Sequence, residues 1–367
     1  MTGILCGETR PEKIYHSACA AGHKALWHSD WNGLPAASVL EQLDPDLVQV
    51  RERYGNAPQP STVKVGTLCL EWAKKLGLKE STVILGSSFD AHAGAVGAGI
   101  QKKTFVCTMG TSCVDMFVEK PENLKGKDIQ AYCGQAENSI LPGYVGVETG
   151  QAAFGDIFAW FKRLLEWPLA ELAADENSGI SDELYKKVED RILIMLQKKA
   201  EELPEESFPI ALDWFNGRRY PNTDDFQRSA ISGLSLGMDA PYLYRSLVFG
   251  AVCGLYRLIE GFEKQEIDIE KVIAVGGISK KSPYVMQMLS DLSGREIHIL
   301  DSDQTCAQGA AMYAAVGAGI YETLEVAAEH MAAKCIKICK PDSEKKDWYK
   351  KHYQEYLKLA EAVNKLS

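Results

Sequence analysis

Short apolar runs that stop at glycine or at a polar loop set the frame of this chain. Residues 83–85 and 104–108 are runs of this kind, 271–275 predict a buried strand, and 296–300 predict a further strand. Residues 113–118 (CVDMFV) alternate like a strand, and 140–147 return to a strand pattern before Glu148-Thr149-Gly150. Residues 210–222 (IALDWFNGRRYPN) predict a strand entering a turn at Asn216-Gly217. Between these runs the apolar period lengthens. Residues 36–53 carry Val39, Leu40, Leu43, Leu47 and Val50 on a helical rhythm broken at Pro45. Residues 65–77 predict a second helix stopped by Gly77, and 151–166 a third, with aromatics at 154, 158 and 161 and Pro168 after it. Residues 240–263, and 283–293 closed by Gly294, predict further helices. Two stretches, 91–99 and 304–319, are helical in pattern but made almost wholly of small residues. They serve either tight packing or the crossing of two domains that rotate against each other. Residues 168–206 are rich in Glu, Lys and Ala and predict solvated helices. Residues 344–366 place Tyr349, Tyr353, Tyr356, Ala360 and Val363 on one side of a helix that docks on the body. Residues 15–28 suit a loop near a polar site, and 119–128 a polar loop. The strand–helix–strand–helix order over 271–319 predicts an α/β domain.

At 367 residues the chain is long enough for about two domains. With 46% hydrophobic and 25% charged residues it has the make-up of a globular protein with a real core. A net charge of -10 argues against nucleic acid or an anionic membrane as partner, but not against a phosphorylated ligand. No apolar run approaches the ~20 residues of a membrane span. The first residues lack the basic and apolar regions of a signal peptide, so the cytoplasm is the expected location. Thr2–Cys6 reads as the end of an apolar element, and no strand–turn–helix unit opens the chain. A missing N-terminal part and a short disordered lead-in are both open. None of the ten cysteines forms a C-x-x-C pair, which predicts free thiols, most of them buried. Cys335 and Cys339 would share a helix face with no further ligand nearby, so zinc is not expected there, nor any other resident metal.

The chemistry concentrates in residues 83–112. One strand leads to Asp90, and the next ends in Met109-Gly110-Thr111-Ser112. A carboxylate can accept a proton, and a glycine-rich loop after a strand can wrap backbone N–H groups around phosphate. A second such loop follows Val275, in Gly276-Gly277-Ile278-Ser279-Lys280-Lys281. Neither loop has the spacing G-x-x-x-x-G-K-[ST] or G-x-G-x-x-G, and each alone is as well read as an ordinary turn. Asp90 is equally well read as the cap of the helix that follows it. In α/β sheets, however, ligands bind outside the carboxyl ends of strands, where all three lie.

The motifs AAGHKALWH (20–28), VGTLCLEWAKKLGL (65–78), FDAHAGAVGAG (89–99), MGTS (109–112), GQAAFGDIFAWF (150–161), LDWFNGRRYPN (212–222), GGISKKSP (276–283) and SDQTCAQGAAMYAAV (302–316) span most of residues 1–320. Together they resemble the FGGY carbohydrate kinases of the sugar-kinase, hexokinase and actin superfamily, and within them the L-ribulokinases. AGHKALWH and LDWFNGRR carry the narrower likeness. The resemblance implies an α/β fold of ribonuclease H-like ATPase domains, the second complete and the first partial. It implies residues 1–100 as the later part of the sugar-binding domain, 101–320 as the nucleotide-binding domain and 321–367 as a C-terminal helical extension. It implies phosphorylation of L-ribulose to L-ribulose 5-phosphate by ATP with Mg²⁺, a step of L-arabinose catabolism. Asp90 matches the catalytic base, which also touches the sugar, and Lys24 and Glu148 match sugar contacts. Gly110, Thr111 and Ser112 match the second phosphate loop, and Gly276, Gly277 and Lys281 the adenosine loop.

The chain departs from the family at three places. Ser282 stands where ribulokinases often have Asn, and Cys113-Val114 follow the GTS in place of Thr-Cys. Nothing here matches the D-x-G-T-like first phosphate loop with which family members begin. Two alternatives therefore stand beside the ribulokinase reading: a non-catalytic remnant that binds nucleotide or a partner chain, and an FGGY kinase for another ketose or polyol. Partial loss of the first domain predicts exposed apolar surface and leaves a homodimer open.

Overall fold

The computed structural model describes every residue except 32, 56, 126, 128–133, 206, 207 and 367. Cys133 and part of the polar loop at 119–128 lie outside the described residues. The chain divides into two compact units. One holds residues 1–108, 115–149 and 300–335, and the other residues 109–114, 150–299 and 336–367.

The first unit carries strands β1 (Lys64–Thr67), β2 (Val83–Leu85), β3 (Thr104–Met109), β4 (Cys113–Glu119), β5 (Gly134–Glu137) and the bulk of β6 (Val145–Gln151). β1 and β2 pair antiparallel, and the others line up as β3-β4-β6-β5. β5 runs antiparallel to β6 in a register that sets Gly134 opposite Glu148. Phe105, Val106 and Cys107 of β3 are fully buried, as expected of an apolar run within a sheet. The two small-residue stretches form the helices Asp90–Gly97 and Thr305–Gly317, which pack on each other at backbone distance. A methyl group on Gly97 would strike the Thr305 carbonyl oxygen and come within 2.8 Å of Gly309 N. One on Gly309 would strike the Ala93 carbonyl oxygen.

The second unit carries β7 (Ile210–Ala211), β8 (Ile231–Ser232), β9 (Lys271–Val275), most of β10 (Ile297–Leu300) and β11 (Cys335–Cys339), with the order β11-β10-β9 and β10 parallel to β9. Its centre is the helix Ala240–Glu263, buried along most of its length. The C-terminal helix Lys346–Asn364 docks with Tyr349, Tyr353, Tyr356 and Ala360 buried. The Tyr356 hydroxyl donates to Asp213 Oδ1 at 2.7 Å, and Gln151 Nε2 donates to Asp213 Oδ2 at 2.7 Å. Burial pushes the Asp213 carboxyl up, and these two donors oppose that shift. Among the described residues no helix is long and apolar enough to cross a membrane.

Several elements differ from their sequence pattern. Residues 15–28 are not a loop: Ala18–Lys24 is a helix, because Ser17 Oγ caps Ala20 N and the alanines favour the form. Residues 65–77 divide into β1 and the helix Leu70–Leu76, whose stop is Gly77 in the left-handed region, as expected. Pro45 splits 36–53 into two helices, Ala37–Leu43 and Asp46–Arg53. Pro168 does not end its helix, which continues from Gly155 to Ala174. Cys335 and Cys339 lie on a strand rather than a helix; alternate residues of a strand still share a face. The cysteines among the described residues are free thiols, with 19, 107, 113, 253 and 339 buried.

Candidate functional site

In the first unit a helix is laid closely over a strand. Gly22 of the helix Ala18–Lys24 meets Ala136 of β5, and Gly134 of β5 leaves space for the His23 ring. Adjacent helical residues point about 100° apart, so His23 turns inward and Lys24 outward. Glu148, opposite Gly134 on β6, then comes between them. Lys24 Nζ lies 3.6 Å from Glu148 Oε1 and 5.7 Å from the centre of the Phe89 ring. His92 Nε2 lies 3.5 Å and His23 Nδ1 3.9 Å from Glu148 Oε2. The two imidazoles meet edge to face at 4.5 Å, and Phe89 packs on His92 at 5.7 Å. Asp90 is exposed at the first position of the helix that buries His92 two residues later. Phe89 takes the cap position, so Asp90 is not the cap; its Oδ1 accepts from Ala91 N at 2.8 Å.

Both histidine side chains are 1% exposed. Burial, with Lys24 adding to it, holds His23 down at about 4. Burial, followed by His23 and Lys24, holds His92 down at about 3. An unfolded imidazole titrates near 6.5. Below that pH the unfolded chain binds protons that the folded one refuses, so stability is complete above pH 6.5 and falls as pH drops toward 4. For metal-free protein the expected loss by pH 5.5 is about 1.4 kcal/mol per histidine. Denaturant unfolding at pH 7.0 and 5.5 measures it, and His92→Asn should remove about half. A stability that does not change over this interval would place the imidazoles in water.

The second unit brings the two glycine-rich strand ends together. Gly276 sits at φ +97°, a conformation open to glycine, and a side chain there would strike the Met109 carbonyl oxygen. The Gly110 loop is tied to the start of the helix Gly155–Ala174. Phe154 N donates to Thr111 O at 2.8 Å and Gly155 N to Gly110 O at 3.1 Å. A methyl group on Gly155 would come within 2.5 Å of Gly110 O and 2.7 Å of the Ile278 side chain, so three elements share one corner. Gly110, Thr111 and Gly277 are exposed there, and among the described residues nothing lies within 4 Å of the position a side chain on Gly277 would take. Lys281 is exposed at the end of the short helix Gly277–Lys281. Ser282 caps the next helix by accepting from Val285 N at 3.4 Å and donates to Gln197 at 2.8 Å. Asn is an equally good cap, which accounts for that departure.

Residues 105–318 match the C-terminal domain of the FGGY family of carbohydrate kinases. The chain belongs to this family. Among curated relatives, the ribulokinase of Vibrio parahaemolyticus is 38% identical over 365 residues, which cover 99% of this chain and 64% of that protein. The ribulokinase of Shouchella clausii is 35% identical over 353 residues, 94% of this chain and 60% of that one. The chain thus spans 60–64% of the length of these relatives. The solved xyloylose kinase of Brucella ovis aligns with a TM-score of 0.78 at 18% identity, covering 100% of this chain and 67% of its own. The Plasmodium falciparum glycerol kinase, solved with ADP, gives 0.71 at 16% identity, covering 99% and 65%. At such identities the likeness is one of fold, and it gives this chain the α/β FGGY kinase fold. Against that fold, Lys24 and Glu148 stand as a pair and the Gly110 and Gly276 loops as neighbours. His23, His92 and Gly155 received no role from the sequence, although all three sit inside the quoted motifs. The signal was their position: one histidine directly before Lys24, the other two residues after Asp90.

Proposed function

We propose that this chain is the larger part of a kinase that transfers the γ-phosphoryl group of ATP to the 5-hydroxyl of L-ribulose. The observation that carries the reading is the Lys24–Glu148 pair at 3.6 Å, beside the helix that begins at Asp90. These three residues match the sugar contacts and base of the ribulokinases, and the relatives at 35–38% identity bear that name. In this reading Lys24 donates to sugar oxygens and Glu148 accepts from sugar hydroxyls. Asp90 takes the proton of the attacking hydroxyl as its oxygen bonds to the γ-phosphorus. The bond from that phosphorus to the β-phosphate oxygen breaks, ADP leaves, and Asp90 returns its proton to water. ATP enters with Mg²⁺ as substrate. The exposed, side-chain-free corner of Gly110 and Gly277 fits it, with Thr111, Ser112 and Gly276 shaping the loops and Lys281 supplying charge. The protein's part in such transfer is positioning and charge neutralisation. Residues 1–100 then serve as the later part of the sugar-binding domain, 101–320 as the nucleotide domain and 321–367 as an extension, in a cytoplasmic enzyme.

The test is ADP release with L-ribulose and ATP-Mg²⁺, on this chain and on one preceded by the segment its relatives carry. Glu148→Gln is expected to raise KM for L-ribulose about 10–100-fold while KM for ATP stays within about twofold, a loss of about 1.4–2.7 kcal/mol of sugar binding. Phosphorylation of glycerol in preference to ketopentoses would sink the substrate assignment. A second reading is favoured by the 60–64% span and by the absence of a D-x-G-T match: the chain alone binds nucleotide without turnover. Calorimetry with ATP-Mg²⁺, beside the turnover assay, separates the two.

A further inference from the structure

The His23–His92–Glu148 cluster has a feature that sugar binding does not account for. Among the described residues, neither ring nitrogen of either buried imidazole has a hydrogen-bond partner. A buried polar atom left unpaired costs about 1–3 kcal/mol, so the two that face Glu148, His23 Nδ1 and His92 Nε2, point to an occupant that joins them to its carboxylate. The carboxylate beside them is already divided between its neighbours. Lys24 takes the Oε1 side, while Oε2 faces both rings at 3.5 and 3.9 Å.

We propose that His23, His92 and Glu148 form a binding site for a divalent transition metal ion of the zinc class. One ligand atom from each residue lies within 4.8 Å of the others. In a tetrahedral zinc site with bonds of about 2.0–2.1 Å, ligand atoms stand roughly 3.3 Å apart, so the cluster has to contract by roughly 0.2–1.5 Å between pairs. The burial that keeps the imidazoles neutral also prepares them, since a metal binds only the deprotonated ring. Two nitrogens and one carboxylate oxygen select zinc and its neighbours over Mg²⁺, which prefers an all-oxygen shell. Three protein ligands leave a fourth position open to water or to an oxygen of a small molecule. Lys24 is the opposing influence. Its charge disfavours a dication, and its place on Oε1 leaves Oε2 to the metal. The site is distinct from the Mg²⁺ that accompanies ATP, and it does not depend on which sugar the chain takes.

The test uses the full chain stripped with chelator and titrated with Zn²⁺ against a chromophoric chelator. One equivalent is expected to bind, and Glu148→Gln and His92→Asn are each expected to weaken it at least about tenfold. Cys335→Ser, which alters the exposed thiol, should leave it unchanged. Substitution with Co²⁺ should give ligand-field absorption without a thiolate charge-transfer band. Three results would overturn the proposal: no stoichiometric binding, which leaves water as the occupant; an affinity unchanged in Glu148→Gln; or a thiolate band, which places the metal on cysteine. If His92→Asn fails to fold by circular dichroism, Glu148→Gln, whose carboxylate is nearer solvent, decides the matter alone.

Discussion

Replacing Asp90 by Asn is expected to lower turnover with L-ribulose by about 10²–10⁴-fold while nucleotide affinity stays within about twofold. That fall corresponds to about 3–5 kcal/mol of lost transition-state stabilisation. Asn has nearly the same shape and can still accept from Ala91 N, which donates to the Asp90 carboxylate, so the helix start should survive. What Asn cannot do is receive the proton of the attacking hydroxyl. The effect should therefore appear in kcat, with little change in KM for ATP. The measurement is steady-state ADP release by the chain carrying its relatives' preceding segment, together with a thermal melt. A variant that keeps more than about a tenth of the parent turnover would remove Asp90 from proton transfer and leave it a helix-start residue. Loss of both activity and melting temperature would point to structure instead.

Gly309→Ala is expected to destabilise the chain by about 2 kcal/mol or more, although alanine is the better helix former. Propensity favours the substitution by about 1 kcal/mol. Against it stands a methyl group driven into the Ala93 carbonyl and within 2.8 Å of Gly97 N, both of them backbone that no rotamer change can move away. Overpacking of this kind costs about 1–3 kcal/mol and more where backbone has to shift, so the clash wins. Gly97→Ala meets Thr305 in the same way and should behave alike. Gly319, at the surface with nothing among the described residues within 4 Å, is a poor control because its φ of +76° strains any side chain. Gly277→Ala is the better one, since it has neither obstacle. Chemical denaturation of the variants gives the comparison. An increase in stability for Gly309→Ala would mean that the helices do not approach at backbone distance.

The parts of the fold that were legible in sequence are those in which one local rule acts alone. Val272–Val275 is a pure apolar run and lies within the strand Lys271–Val275; Ala240–Glu263 and Pro283–Ser293 have uninterrupted helical periods and are helices. Residues 15–28 misled because histidine, lysine and tryptophan suggested a polar loop, whereas a serine cap and closely spaced alanines settle the backbone. Pro168 misled for the opposite reason. It was given the weight of a helix breaker, yet the helix goes on for six residues beyond it. At the candidate site, Lys24, Asp90, Glu148 and the two glycine loops were visible through their motifs. The imidazole pair was not. Its meaning depends on Gly134, which faces Glu148 across two strands and makes room for His23, and no periodicity along one strand reveals what lies opposite on the next. Exposed apolar side chains, expected on the first unit, occur there at Val39, Leu43 and Val50, and in the second at Trp167, Ile194 and Met195.

The crossing of the two small-residue helices bears on how the chain is made. Asp90–Gly97 is eight residues long and contains two glycines, too short and too flexible to persist as a helix unaided. Its partner, Thr305–Gly317, is encoded about 200 residues later. At a synthesis rate of ~5–20 residues per second, the first stretch leaves the ribosome roughly 10–40 s before the surface that completes it exists. For that interval the segment around Asp90 is unpaired and open to whatever binds nascent chains, and Asp90 gains its place at a packed helix start only after residues 305–317 have emerged.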